Sequence, residues 1–180
     1  MKKLVLIIGP NGVGKTTTAQ ALLKRCPHCA YVDSDCCRAI HPFSLTEATK
    51  KTVTDNIFSL LKNYLLCREI ETVLFTYGFH GERKEIFDEV LRRLKEEGIV
   101  FTLCPVVLKC SLEENRKRMT HDGRDKVRIE RGIVNTFHFY DNYACPVIDS
   151  TELSPEQTAD EIMKGLTEYA DLATEDMDVF

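Results

Sequence analysis

Short apolar runs alternate along the chain with longer segments whose apolar residues recur every three to four positions. The runs at 3–8 (KLVLII), 30–34 (AYVDS), 71–76 (ETVLFT), 99–108 (IVFTLCPVVL) and 146–149 (PVID) are continuous rather than alternating in polarity. A strand covered by helices on both faces has that pattern. The spacing predicts helices over 15–25, 45–69, 82–97, 111–120, 126–142 and 155–169. Strand then helix, repeated, is the order of crossover units on a parallel sheet, an α/β class of fold.

Three predicted helices announce their starts. Ser44 with Glu47, Ser111 with Glu114 and Ser154 with Gln157 each place a hydroxyl three residues before a longer acceptor, the spacing that satisfies two orphan amides. Pro155 adds a favourable first helical residue. Gly98, after a charged stretch, reads as a C-terminal stop. No repeat or linker interrupts the pattern, so one domain is expected over 1–180, with an acidic tail at about 170–180.

Composition narrows the function. The 180 residues are 43% hydrophobic, enough to fill a core without covalent staples. Lys plus Arg number 24 against 28 Asp plus Glu, a net charge of −4, and Asp171, Glu175, Asp176 and Asp178 crowd the last ten residues. A general nucleic-acid coat is disfavoured, because binding phosphates needs a basic excess. The opening MKKLVLII has an apolar run too short for a secretory core of roughly 7–15 residues, and reads as a strand. No run approaches the ~18 residues that span a bilayer, so no membrane association is expected. The eight cysteines then read as reduced thiols of a cytoplasmic protein.

The chemistry is concentrated early in the chain. Gly9, Pro10, Asn11, Gly12, Val13, Gly14, Lys15 and Thr16 match G-x-x-x-x-G-K-[ST], after one predicted strand and at the start of a helix. Such a loop turns its amides inward and adds the positive helix end, so main chain holds a polyphosphate. Lys15 is placed to reach the β- and γ-phosphates and Thr16 to offer a hydroxyl to Mg²⁺, with Thr17 beside them in the nucleotide set. The second strand ends on Asp33-Ser34-Asp35, at the sheet edge where ligands bind in open parallel sheets. If the strand persisted, alternate residues Asp33 and Asp35 would share a side. One would then stand beside the metal while the other received a hydroxyl proton. Asp35 could equally cap a helix starting near Cys36.

The order GPNGVGKT, YVDSD, a basic segment and then VIDSTELSPE resembles the small P-loop kinases of the shikimate and gluconate kinase type. Chloramphenicol phosphotransferase-like and AAA-labelled kinases belong to the same broad group. The resemblance implies a three-layer P-loop NTPase fold, with a five-stranded parallel sheet in order 2-3-1-4-5, flanking helices and a short lid. It implies ATP and Mg²⁺ as cofactors, Asp33 near the metal, and Asp35 as the acid that contacts or deprotonates an acceptor. Arg118 would stack on adenine, Arg124 would meet the transferring phosphate from the lid, and Thr151 would border the adenine.

The lid is expected at about 119–128, inside the run RKRMTHDGRDKVRIER at 116–131, which holds seven Lys or Arg. That run also reads as a solvated helix face or, less readily, an RNA contact. Asp122-Gly123 offers a flexible turn, and Arg128 could assist Arg124. Strand 71–76 ends without the Asp that a Walker B strand presents, which argues against a motor or switch. Tyr77, Gly78 and His80 then follow as acceptor contacts with Arg38, while Phe79 reads equally as core. Cys26-Pro27-His28-Cys29 and Cys36-Cys37 are too far apart along a strand to share one metal, and Cys104 and Cys110 read as small core residues. His138, Tyr140 and Tyr143 read as packing.

The sequence thus points to an ATP-dependent phosphotransferase acting on a hydroxyl of a small molecule, as a monomer or homodimer. A nucleoside or nucleotide kinase, suggested by the GF-x-x-x-R run at 78–83, and a non-catalytic ATP-binding sensor are the competing readings.

Overall fold

A computed structural model describes residues 1–168. The elements are β1 (Lys3–Ile8), α1 (Lys15–Arg25), β2 (Cys29–Asp33), a 3-10 turn (Cys36–Arg38), α2 (Glu47–Leu66), β3 (Thr72–Thr76), α3 (Arg83–Glu96), β4 (Thr102–Lys109), α4 (Leu112–His121), α5 (Lys126–Thr136), β5 (Val147–Asp149) and α6 (Pro155–Glu168). All five strands are parallel, in the order β2-β3-β1-β4-β5. This is the expected sheet, and the expected acidic tail lies outside the described residues.

The continuous apolar runs follow from burial on both faces. Leu4, Leu6 and Ile8 of β1 join Val73 and Phe75 of β3 in a core with α2 and α3. Val5 and Ile7 join Leu74 in a second core with α1 and α6. Every residue of Leu4–Ile8 is fully buried. Helix α1 packs on α6 and α2 on α3, giving the three layers, while α4 and α5 project beyond β4. Pro105 is tolerated inside β4 because β5 pairs only from Val107 onward, so no ladder donor is needed there on that side.

Several boundaries differ from expectation for local reasons. Helix α2 starts at Glu47, capped by Thr46 rather than Ser44. Thr46 and Thr49 form the reciprocal box, with Thr46 N–H donating to Thr49 Oγ1 at 2.8 Å and Thr49 N–H to Thr46 Oγ1 at 3.3 Å. A hydroxyl at the third position serves as well as the expected Glu, and this moves the start by two residues. Ser154 and Gln157 do form the expected box. Ser111 caps α4, while its own N–H goes to Thr151 Oγ1 at 2.8 Å.

The fourth strand begins at Thr102, not 99, because Gly98 turns the chain with φ +69 and Ile99 N–H closes on Leu94 O at 3.1 Å. Helix α5 stops at Thr136 instead of 142; residues 137–143 descend in successive turns that bring Tyr140 into the core, where its hydroxyl accepts from Phe79 N–H at 3.0 Å. His138 is therefore not a packing residue. Its ring is 82% exposed and paired with Asp141 at 2.9 Å.

Candidate active site

The phosphate loop leaves the carboxyl end of β1 and is shaped by neighbours that leave no room for side chains. A Cβ on Gly9 would lie 2.4 Å from the Leu108 carbonyl oxygen of β4. One on Gly12, at φ +81, would lie 2.3 Å from Cγ of the fully buried Met119 in α4. The loop tip is tied on both sides, with Asn11 N–H donating to Thr136 Oγ1 and Asn115 Nδ2 to Asn11 O, each at 3.0 Å. Lys15 curls back over the loop, donating to Gly9 O at 2.8 Å and Pro10 O at 2.9 Å. Burial pushes its ammonium down to about 8, Arg124 and Arg83 push the same way, and Asp35 and Asp33 oppose. A half-buried ammonium beside a ring of loop atoms suits a polyphosphate, which would supply its counter-charge.

The carboxylate that accompanies the loop comes from β2. Thr16 Oγ1 donates to Asp33 Oδ2 at 3.2 Å, and Tyr31 OH donates to the same oxygen at 2.9 Å. Tyr31 OH also meets Thr76 Oγ1 at 3.0 Å. The parallel register sets Asp33 directly beside Thr76, so the sheet edge still carries an acid although β3 ends on threonine. A hydroxyl next to a carboxylate is an oxygen donor pair of the kind Mg²⁺ takes alongside substrate phosphates and water.

Asp35 is not on the strand. The strand stops at Asp33, and Asp35 has helical angles (φ −70, ψ −34) before the 3-10 turn. The alternation argument therefore fails, but a turn achieves the same end: Asp35 N–H donates to Asp33 Oδ1 at 2.8 Å, and both acids line one cavity. Asp35 makes no side-chain cap either; its carboxylate is ion-paired with Arg38.

That cavity has a volume of about 740 Å³, within the roughly 300–1,000 Å³ of small-molecule sites. Lys15, Thr16, Thr17, Asp33, Asp35, Arg38, Tyr77, Gly78, His80, Arg118 and Arg124 all face it. Phe79 does not. It is fully buried, its ring 5.7 Å from Tyr77 and 5.1 Å from Phe87, which settles it as core. Tyr77 is largely buried and donates to Arg83 O at 2.9 Å. Burial drives His80 down to about 4, helped by Arg83, Lys15 and Arg38, so its ring is neutral at physiological pH.

At the other end, Arg118 Nη1 reaches Val13 O at 2.8 Å and Ser150 Oγ at 3.0 Å, Nη2 reaches Ser150 O at 2.6 Å, and Nε pairs with Glu114 at 2.9 Å. Thr151 is engaged by Ser111 N–H and donates to Asp149 at 2.5 Å, while Leu153, Pro155 and Thr158 form the wall there. Gly123, at φ +72, closes α4 as Arg124 N–H bonds Met119 O at 3.2 Å, and this turn carries Arg124 to the cavity beside Asp122. Arg128 lies outside the wall, its N–H capped by Asp125. Elsewhere the basic run is a solvated face, with Arg116 on Glu130, while Lys117, paired with Glu114 and well exposed, also lines the cavity. Two contributors lie outside the predicted site residues. Asn115 carries no motif to signal it, whereas Arg83 was visible as the last residue of the run at 78–83.

The fold and loop together define the architecture of small P-loop kinases. Residues 5–139 match the sequence family described as an AAA domain, and the chain belongs to that family. Among solved structures it is similar to a tunicamycin resistance protein of Deinococcus radiodurans (18% identity, 92% of this chain and 96% of that one, TM-score 0.64). It is likewise similar to a gluconokinase from Sinorhizobium meliloti 1021 (16%, 94% and 94%, TM-score 0.65) and to shikimate kinase from Acinetobacter baumannii in complex with shikimate (16%, 96% and 97%, TM-score 0.61). No curated protein matches the chain.

Proposed function

We propose that the chain transfers the γ-phosphoryl group of ATP to a hydroxyl of a small molecule. The observation that carries this reading is the convergence of the phosphate loop, the Thr16–Asp33 pair and the Asp35 carboxylate on one cavity. In this reading the loop amides and Lys15 hold the phosphates, and Arg118 closes the nucleotide end beside the loop after β5. Thr16 and Asp33 would hold Mg²⁺, which when bound neutralises phosphate charge. An acceptor oxygen bonds to the γ-phosphorus as the bond to the β,γ-bridging oxygen breaks and ADP departs, and the acceptor proton passes to Asp35. Arg124, on the turn between α4 and α5, stabilises charge on the transferring group; its segment acts as the lid, limiting hydrolysis by excluding water. Kinases of similar fold support this reading. No helix among the described residues is long and apolar enough to cross a membrane.

The test is transfer of label from γ-labelled ATP to a metabolite pool, compared between the parent and Asp35→Asn. Transfer should fall on the order of 10²–10⁴-fold, the usual contribution of a positioned base, with ATP affinity unchanged. Full activity in Asp35→Asn would remove the base, and tight ATP binding with no transfer to any acceptor would favour a nucleotide sensor.

A further inference from the structure

Arg83 opens α3 and is half-buried in the cavity wall, yet among the described residues no carboxylate is paired with it. The acids beside it in sequence are spoken for: Lys50 of α2 takes both Glu82 and Glu85. Asp35, facing the same space, is committed to Arg38. A desolvated guanidinium without a counter-ion is costly, and sequences keep one where a ligand supplies the charge. Burial and then Arg38 push Arg83 below its ordinary range.

Its surroundings make a built wall. Tyr77 OH fixes the Arg83 carbonyl at 2.9 Å, and the His80 ring covers Gly78, where an added Cβ would come within 3.3 Å of it. Asp33 also lines the cavity, but with that acid assigned to Mg²⁺ two guanidiniums and a neutral imidazole face a single remaining carboxylate, Asp35. With Lys15 and Arg124 assigned to the nucleotide, this end of the cavity keeps a positive excess that a neutral polyol cannot answer.

We infer that Arg38, His80 and Arg83 bind an anionic group on the acceptor, either a phosphate ester or a carboxylate, held bidentate by the Arg83 fork. The inference names the substrate class of the phosphotransfer site and rests on that reading. A nucleoside monophosphate falls within the class; a neutral nucleoside does not.

The test uses a matched trio of probes, glycerol 3-phosphate, glycerate and glycerol, titrated into the full chain preloaded with a non-hydrolysable ATP analogue and Mg²⁺. The His80 ring resonances in NMR serve as the local reporter. One or both anions should shift His80 saturably while glycerol does not, and the preferred anion tells phosphate from carboxylate. Arg83→Gln should weaken that binding at least tenfold, Arg83→Lys should weaken it less, and analogue affinity should stay within twofold in both. Equal response to glycerol, no response to either anion, or no loss in Arg83→Gln overturns the inference, and so does loss of analogue affinity in Arg83→Gln, which would assign that arginine to the nucleotide. Thermal melting confirms that the variants fold. Calorimetry of the analogue is read first, so failure of nucleotide binding is scored against the phosphotransfer reading; the Arg83→Gln comparison is then repeated without nucleotide.

Discussion

Substituting Gly12 by alanine separates the two demands that the loop places on one residue. At φ +81 an alanine adopts a left-handed conformation costing roughly 1–2 kcal/mol. Its Cβ would also lie 2.3 Å from Met119 Cγ and 3.0 Å from Met119 Sδ, and Met119 is fully buried with Asn115 one turn before it. Overpacking of that kind costs roughly 1–3 kcal/mol. The sum, about 2–5 kcal/mol, corresponds to a fall in Tm of about 4–20 °C for a chain of this size. Gly98→Ala is the internal control, because Gly98 has φ +69 and nothing within 4 Å of an added Cβ. It should show the conformational part alone, about 2–8 °C. Melting followed by circular dichroism measures both. Equal losses in the two variants would refute the collision, and with it the claim that α4 is seated directly against the loop.

Other outcomes follow from titration and burial. Because the Lys15 ammonium sits at about 8 in the folded chain against 10.5 when free, the unfolded chain holds more protons between those values, and stability rises with pH across that window. Lys15→Met, lacking this group, should therefore be the more stable protein near neutrality, and denaturant titrations should show its advantage shrinking by on the order of 2 kcal/mol by about pH 9.5. A constant gap would show that Lys15 is not desolvated. Alkylation by iodoacetamide near neutral pH should reach exposed Cys36 well before Cys37 and Cys104, whose thiols burial pushes up to about 11, and before Cys29, pushed up to about 12 by burial and by Cys26. Peptide mass spectrometry gives the order, and early loss of Cys29 would overturn it.

The sheet was legible because its signal is local. Continuous apolar strands, a glycine loop and hydroxyl caps each follow from a few neighbouring residues. The misplacements arose where distant contacts decide. Helix α5 carries an apolar period past Thr136, but the chain leaves the helix to seat Tyr140 against Phe79, sixty-one residues away. Two hydroxyl boxes were possible near α2, and Thr46–Thr49 prevailed over Ser44–Glu47. The candidate site shows the same division. Its loop was plain from eight consecutive residues, and Asp33 from its place at a strand end. Asp35 was anticipated for an incorrect reason, since a turn rather than strand alternation brings it to the cavity. Asn115 is not legible in the sequence, because nothing near it shows that it grips the loop at Asn11.

The alignment of Asp33 with Thr76 has a bearing beyond this chain. Two adjacent parallel strands that finish level offer equivalent berths for an acid, and either can supply the same point in space. A survey that counts strands and demands the carboxylate on the third would discard this protein as defective, whereas one that counts positions along the sheet rim would keep it.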